Sequence, residues 1–254
     1  MSTNNSKHNN FTIVTFNVRG LQSYEKQQIF RTWIHTNKPH VILLQETHTD
    51  QDLINILKLS YPNSWWSIDP SNSLGVGIIV LRPDITISNV IIDPSCQYIA
   101  CTAKLLNTSF SILNIYAPTK SQERVQWFPE LLALQFDHPL ILAGDFNFTT
   151  KPIHRNKPNG STSGSIQLKH FTNKWFLKEP EATNPFYSWI NLRLDRFYIS
   201  TAVTYPSIYY EPFHSIGLSD HHPITLNLEK TKPGKGYWKF NNAIYHSKEH
   251  NKIN

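Results

Sequence analysis

The sequence predicts an α/β protein in which β-sheets pack against each other and helices lie outside them. Strand-like runs outnumber helix-like runs, and several follow one another without a helix between them, which argues against simple strand–helix alternation. The chain has 254 residues, 39% of them hydrophobic, which suits one large domain with a sizeable core. Charged residues make up 17% and aromatic residues 13%, a composition that excludes a disordered chain.

Hydrophobic periodicity predicts the elements of the first half in chain order. They are a strand at 11–17, a helix at 23–36, a buried strand at 41–45, a helix that starts at a capping pattern over 49–52 and ends near Pro62, and strand-like runs at 76–81, 85–92, 97–105 and 109–116. The second of these helices is predicted to bury Leu53, Ile56 and Leu57.

The second half is predicted to contain fewer elements. A helix over 121–135 is expected to kink or restart at Pro129, because proline removes a helical hydrogen bond. The remaining elements are a buried strand at 139–143, a helix within 164–176, and strands at 195–200 and 223–228.

We predict one domain over residues 11–229, with a disordered polar leader at 1–10 and a basic tail at 230–254. The longest apolar run, at 75–81, is far shorter than the roughly 20 residues that a membrane helix needs. The amino terminus lacks the apolar region of a signal peptide, and the chain has only two cysteines, which excludes a disulfide framework. We therefore expect a soluble, intracellular protein.

The net charge of +6 is concentrated in two segments. Residues 151–178 carry six Lys and Arg and no acid, and residues 230–254 carry six Lys against one Glu. Basic segments on a mildly acidic body are typical of proteins that bind a polyanion through its phosphates. Charge alone fits solvated loops equally well.

Several predicted strands end in polar side chains that a core would not select. These are Asn17, Gln45-Glu46, Tyr116, Asp145 with Asn147, and the segment 219–222 before the last strand. Ligand sites in α/β proteins gather outside strand ends, so these groups are expected to converge on one crevice. The carboxylates of Glu46, Asp145 and Asp220 suit a hard cation such as Mg²⁺. Together with His221, they indicate metal-assisted hydrolysis of a phosphate ester.

Each residue taken singly also has a structural explanation. Asn17 fits a turn before Arg19-Gly20, Glu46 fits a solvent-exposed position, and Asp145 with Asn147 fits a pair of Asx-turns. The joint pattern is what favours a catalytic site.

The pattern resembles the endonuclease/exonuclease/phosphatase superfamily, the group of AP endonucleases and DNase I-like enzymes. The motifs that carry the resemblance are TFNVRG (15–20), LLQET (43–47), NIYAP (114–118), LAGDFN (142–147), YSW (187–189), RLDR (193–196) and SDHHPI (219–224). In style they are most similar to the endonuclease domain of LINE-type (non-LTR) retrotransposons, and GYWKFN (236–241) resembles the junction after that domain. The resemblance implies a four-layer α/β sandwich of two mixed β-sheets flanked by helices.

The resemblance also implies a role for each matching residue. Glu46 is the principal metal ligand, Asn17 lies beside the metal, and Asp220 supports the metal or His221. Asp145 is the general base that positions the attacking water, and Asn147 and Tyr116 hold the scissile phosphate. Asp195 orients His221, which stabilises the charge of the transition state. The implied cofactor is Mg²⁺, with Mn²⁺ as an alternative, and no small-molecule cofactor is expected.

The implied substrate is duplex DNA, held by its phosphate backbone and nicked at the target sites of a mobile element. The resemblance also implies that the protein acts in the nucleus, and we expect a monomer. The residues expected to contact this substrate are Arg19, Ser188, Trp189, Lys151, Arg155 and Lys157. Only six residues separate Ser188 from Asp195, where many relatives carry a longer DNA-reading hairpin, so the cleavage sequence stays open.

Two rival functions remain. The first is a phosphatase or phosphodiesterase of the same superfamily that acts on an inositol phosphate or a lipid head group. The second is a catalytically inactive DNA-binding relic, which would bind DNA with a steep salt dependence but produce no nick.

Overall fold

The computed structural model describes residues 10–69, 71, 73–150, 163–180, 187–203, 207–212 and 217–229. The described elements comprise four helices and twelve strands. In chain order they are β1 (Asn10–Asn17), α1 (Tyr24–Asn37), β2 (Val41–Gln45), α2 (Gln51–Ser60), β3 (Ser64–Trp66), β4 (Val76–Val80), β5 (Ile85–Ile92), β6 (Tyr98–Leu105), β7 (Thr108–Tyr116), α3 (Ser121–Ala133), β8 (Leu140–Asp145), α4 (Ser165–Lys174), β9 (Leu177–Lys178), β10 (Asp195–Ser200), β11 (Ser207–Pro212) and β12 (Ile224–Glu229).

The strands form two mixed six-stranded sheets. The first has the order β11-β12-β1-β2-β4-β3, and the second has the order β5-β6-β7-β8-β10-β9. Each sheet has one central parallel pair, β1 with β2 and β7 with β8, and the other described pairings are antiparallel. Parallel neighbours end at the same edge of their sheet, which is where polar strand ends meet.

The two sheets face each other across an apolar core. Alternating residues of β1, β2, β4, β6, β7, β8, β10 and β12 point into this core, among them Ile13, Leu43, Ile78, Ile112, Ile141 and Phe197. A polar network crosses it, in which Gln45 Nε2 of the first sheet donates to Asn114 Oδ1 of the second at 2.6 Å. Burial of both faces explains why the central strands read as continuous apolar runs.

The helices cover the outer faces. On the first sheet, α1 and α2 pack through a cluster that includes Phe30, Trp33, Leu53, Ile54 and Leu57. On the second sheet, α3 and α4 pack through a cluster that includes Trp127, Phe128, Leu131, Leu168 and Phe171. Ser23 caps α1 and Asp50 caps α2 by accepting hydrogen bonds from Lys26 N and Leu53 N. The predicted four-layer arrangement is therefore confirmed.

Two details of the helices differ from expectation. In α2 the buried stripe contains Ile54, which packs in the cluster against the first sheet, whereas Ile56 is 49% exposed. The helix α3 continues through Pro129 without the expected restart, and the expected kink at this proline stays a prediction. The carbonyl that loses its helical partner belongs to Val125, which lies on the exposed side of the helix.

Three strands, β3, β9 and β11, were not predicted. All three are edge strands, and β3 and β9 have only three and two residues. The predicted leader, apart from Asn10 at the start of β1, and the basic tail lie outside the described residues. In the described part of the chain, no helix is long and apolar enough to cross a membrane.

Candidate active site

Strand register brings the predicted site residues to one edge of the sandwich. In the first sheet, Asn17 at the end of β1 is level with Gln45 at the end of β2, so Glu46 follows directly beside it. In the second sheet, Asp145 of β8 is level with Tyr116 on one side and with Asp195 on the other. The segment before β12 arrives at the same edge because β12 runs antiparallel to β1.

Asn17 joins the two sheets. Its Nδ2 atom donates to Glu46 Oε1 at 2.8 Å and to Asp145 Oδ2 at 3.0 Å. Its Oδ1 accepts from Arg19 N at 3.1 Å, so the residue also makes the turn that its sequence context favoured. The hydroxyl of Tyr116 donates to the same Glu46 oxygen at 2.8 Å. Two carboxylates from different sheets are thus held together by amide and hydroxyl donors.

Left-handed backbone at two positions aims these side chains. Glu46 has φ +48°, and its carbonyl accepts from Gly20 N at 2.6 Å. Asn147 has φ +55°, its N–H donates to Asp145 Oδ1 at 2.8 Å, and its side chain donates to Ala117 O at 2.7 Å. Non-glycine residues adopt this conformation rarely, and such positions gather at functional sites.

A histidine lies between two buried carboxylates. His221 Nδ1 is 2.8 Å from Asp195 Oδ2, and His221 Nε2 is 3.9 Å from Asp145 Oδ2. The imidazole of His221 is thus oriented by one carboxylate and faces a second one.

The start of β10, which carries Asp195, is fixed by Ser188. The hydroxyl of Ser188 accepts hydrogen bonds from the N–H groups of Leu194 and Asp195, both at 2.9 Å.

Burial and charge shift the titration of this cluster. Burial and the nearby charge of Asp195 raise the pKa of Asp145 to about 7, against the opposing effect of His221. Burial acts to lower the pKa of His221, but the charges of Asp195 and Asp145 and the hydrogen bond to Asp195 raise it to about 9. Burial and Glu46 raise the pKa of Tyr116 far above its ordinary value, so this phenol remains a donor. Shifts of this kind are typical of acid–base sites.

Asp220 is held at the rim of the site. Its Oδ2 accepts from Arg19 Nη1 at 2.5 Å and from Trp189 Nε1 at 2.9 Å. Burial opposes ionisation, but these two contacts hold the pKa of Asp220 below its ordinary value. The side chain of Arg19 is 61% exposed, so its guanidinium is tethered while it remains accessible from solvent.

These groups surround a cavity of about 350 Å³. Its lining consists of Arg19, Glu46, Asn147, Phe148, Thr149, Trp189, Leu192, Leu194, Asp220 and His221. The lining therefore combines the carboxylates of Glu46 and Asp220 with the guanidinium of Arg19 and the imidazole of His221, groups that can hold a phosphate together with a cation.

Two groups of side chains could hold a metal ion. The first is centred on Glu46, which accepts both of its described hydrogen bonds on Oε1, leaving Oε2 without one among the described residues. The second is Asp145, Asp195 and His221, whose ligand atoms lie within 4.8 Å of one another. In the second group, His221 Nδ1 and Asp195 Oδ2 already share a hydrogen bond at 2.8 Å. The first group, Glu46 with Asn17 beside it, offers oxygen ligands, which Mg²⁺ prefers.

The remaining predicted residues have different surroundings. Ser188, expected to contact substrate, is instead fully buried beneath the site. Lys151, Arg155 and Lys157 lie outside the described residues. Sequence reasoning did not single out His48, whose ring approaches Glu46. The signal was present, because this histidine directly follows the LLQET motif.

The sequence of this chain is similar to that of a known transposon protein. The chain is 26% identical over 263 residues to the Transposon TX1 uncharacterized 149 kDa protein of Xenopus laevis, across 92% of this chain and 19% of that protein. It therefore spans about a fifth of that relative's length.

Two solved structures have the same fold. The AP endonuclease LMAP from Leishmania major matches with a TM-score of 0.68 and 14% identity, over 87% of this chain and 88% of that one. The 3′ phosphatase NExo from Neisseria, bound to a product DNA hairpin, matches with a TM-score of 0.59 and 19% identity, over 85% of this chain and 98% of that one. The model of the Endonuclease/Exonuclease/phosphatase family matches residues 14–221, which include most of the sandwich and the described residues around Asp145. Because the match covers most of the chain, this chain belongs to the Endonuclease/Exonuclease/phosphatase family.

Proposed function

We propose that this chain is a metal-dependent endonuclease that nicks duplex DNA by hydrolysing a phosphodiester bond. The observation that carries the proposal is the position of Asp145. Its Oδ2 accepts from Asn17, which also binds Glu46, and lies 3.9 Å from His221 Nε2. A general base, a carboxylate suited to a cation and a cationic imidazole therefore meet within one site.

The residues support a one-step displacement at phosphorus. Asp145 takes a proton from a water whose oxygen attacks the phosphorus while the bond to the leaving oxygen breaks. Protonated His221, held by Asp195, stabilises the added negative charge. Arg19 and Asn147 line the cavity, and we assign them to orienting the phosphate. The role of Tyr116 in holding the phosphate stays a prediction, because its buried hydroxyl donates to Glu46. A pKa of about 7 matches Asp145 to a general base at neutral pH.

The residues around Glu46 would hold the cation, which we propose to be Mg²⁺, with Asn17 beside it. When bound, the cation polarises the phosphoryl oxygens and stabilises charge on the leaving oxygen. Asp220 is tied to Arg19 and Trp189 in the described structure, so we assign it first to holding these two side chains.

Two observations favour DNA as the substrate. The sequence carries six basic residues and no acid over 151–178, a segment that begins four residues after Asn147, as expected for phosphate contacts. The similar protein of Xenopus laevis is named as a transposon protein, and the structurally similar NExo is bound to a product DNA hairpin. We propose nuclear target-site DNA of a mobile element as the substrate and a monomer as the active form.

The proposal is tested by conversion of supercoiled plasmid to nicked circles with Mg²⁺, with and without EDTA. Asp145→Ala should lower the rate by roughly 10²–10⁴-fold, whereas Asp137→Ala, at an exposed aspartate, should leave it unchanged. Hydrolysis of inositol phosphates by a protein that does not nick DNA would favour the phosphatase alternative. Salt-sensitive DNA binding without any hydrolysis would favour an inactive relic.

A further inference from the structure

A ring nitrogen of His48 is buried next to Glu46. His48 Nε2 lies 3.9 Å from Glu46 Oε2, and the two side chains are 24% and 20% exposed. Among the described residues, this nitrogen has no hydrogen-bond partner although it is shielded from solvent. Buried polar atoms are nearly always paired, so an unpaired one beside a carboxylate points to a contact completed when the site is filled.

The local backbone is shaped to bring these two side chains together. Glu46 and His48 both have φ +48°, although neither is a glycine. Thr47 between them donates its N–H to Gly75 O at 3.1 Å, and His48 N donates to Leu74 O at 3.0 Å. Two successive contacts to the loop before β4 thus hold an unfavourable conformation at both positions.

Gly20 leaves room for the ring. A Cβ atom at this position would lie 3.1 Å from His48 Nδ1, closer than ordinary packing allows, and φ at Gly20 is +88°. The N–H of Gly20 also donates to Glu46 O at 2.6 Å. The same glycine therefore admits the imidazole and anchors the residue that the imidazole approaches.

The oxygens of Glu46 have separate neighbours. Asn17 and Tyr116 donate to Oε1, and His48 is the ring that lies towards Oε2. We propose that His48 is a positioning residue that donates its Nε2–H to Glu46 Oε2 and fixes the carboxylate for the cation. This inference rests on the proposed metal-dependent function. Hydrogen-bonded partners of ligating carboxylates typically change metal affinity by about 10–100-fold when they are removed.

The test is Mn²⁺ binding to the full chain, read from the electron paramagnetic resonance signal of the free ion, with Mg²⁺ as competitor. We expect His48→Ala to weaken the binding of both ions by about 10–100-fold. His48→Gln, which keeps an N–H donor, should recover part of the affinity. The matched control is His35→Ala, at an exposed histidine on α1, which should bind Mn²⁺ like the wild type.

Thermal unfolding separates positioning from folding. In EDTA the two His48 variants should unfold close to the wild-type temperature, while the rise in melting temperature on adding Mn²⁺ should be smaller for His48→Ala. The Mg²⁺ concentration for half-maximal nicking should rise, with most of the rate restored at saturating Mg²⁺. Wild-type Mn²⁺ affinity in a folded His48→Ala variant, or a folded His48→Gln variant that binds Mn²⁺ no better than His48→Ala, would overturn the inference for His48. Metal binding by a wild-type protein that never nicks DNA would instead overturn the proposed function.

Discussion

His221 and Asp195 are joined by a buried contact of 2.8 Å between Nδ1 and Oδ2. This contact fixes the ring so that Nε2 is the atom nearest to Asp145, at 3.9 Å. It also stabilises the protonated imidazole in a region where burial alone would favour the neutral form. Asp195 therefore keeps the buried imidazole of His221 positively charged.

The first prediction concerns this pair. Asp195→Asn preserves the size of the side chain but removes its charge, so the pKa of His221 should fall towards or below its ordinary value. We expect the nicking rate at neutral pH to fall by about 10²–10³-fold, measured on supercoiled plasmid. Asp137→Asn, an exposed match, should be unaffected. A variant at position 195 with the wild-type rate and pH profile would show that the charge of His221 does not contribute.

The second prediction is the pH profile of the wild type. Asp145 must be ionised to accept a proton, and its pKa is raised to about 7, so activity should rise with pH through that region. His221 must be protonated, and its pKa is raised to about 9, so activity should fall above that pH. Single-turnover nicking rates should give a bell-shaped curve with a maximum between these two values.

Two features of the pH profile test the assignments of His221 and Asp145. In Asp195→Asn the alkaline fall should begin at lower pH, because His221 then loses its proton more readily. The acid side should fall by about tenfold per pH unit. Activity that is constant from the acid range through neutral pH would contradict the assignment of Asp145 as the general base.

The sequence allowed much of this site to be predicted, and the reason is physical. Asn17, Glu46, Tyr116, Asp145 and Asn147 follow apolar strands, and parallel pairing places such strand ends at one edge. A polar residue that ends a buried strand is therefore visible in a single sequence.

Other features depend on information that strand patterns do not contain. The approach of His48 to Glu46 requires left-handed backbone at both residues and open space at Gly20. Ser188 was expected to contact substrate, but its hydroxyl is used internally by two backbone N–H groups of the segment leading into β10. Ile54 rather than Ile56 completes the face of α2 that packs on the first sheet. Each of these features is set by tertiary contacts rather than by periodicity.

The third prediction concerns the hydroxyl of Tyr116, which donates to Glu46 Oε1. Tyr116→Phe removes this donor while the buried ring remains, and Asn17 still donates to the same oxygen. We expect weaker metal binding and a nicking rate lower by about 10–100-fold. The free energy of unfolding should change by only about 1 kcal/mol, as for a typical single hydrogen bond.

The matched control is Tyr24→Phe, because Tyr24 is 74% exposed at the start of α1. Both variants should show similar urea unfolding curves, and only Tyr116→Phe should lose activity. Loss of folding in Tyr116→Phe would mean that the hydroxyl holds the two sheets together rather than orienting Glu46.

The fourth prediction concerns the buried amides that cross the core beneath the site. Asn114 accepts from Gln45 Nε2 at 2.6 Å and donates from Nδ2 to the carbonyls of Leu44 and Gly77, both at 2.9 Å. Asn114→Leu keeps the branched shape of the side chain but leaves the buried amide of Gln45 without this acceptor and two carbonyls without this donor. Since an unsatisfied buried polar group costs about 1–3 kcal/mol, the free energy of unfolding should fall by at least that amount.

Urea unfolding measures this effect, with Asn63→Leu at an exposed position as the control, which should stay within about 0.5 kcal/mol of the wild type. Gln45 directly precedes Glu46, and Asn114 lies two residues before Tyr116 on the opposite sheet. Loss of the hydrogen bond between Gln45 and Asn114 should therefore move Glu46 away from the hydroxyl of Tyr116. We expect the Mg²⁺ concentration for half-maximal nicking to rise in the fraction that remains folded. A folded Asn114→Leu protein with wild-type stability and metal dependence would contradict both parts, because it would mean that the sheets are held in register by apolar packing alone.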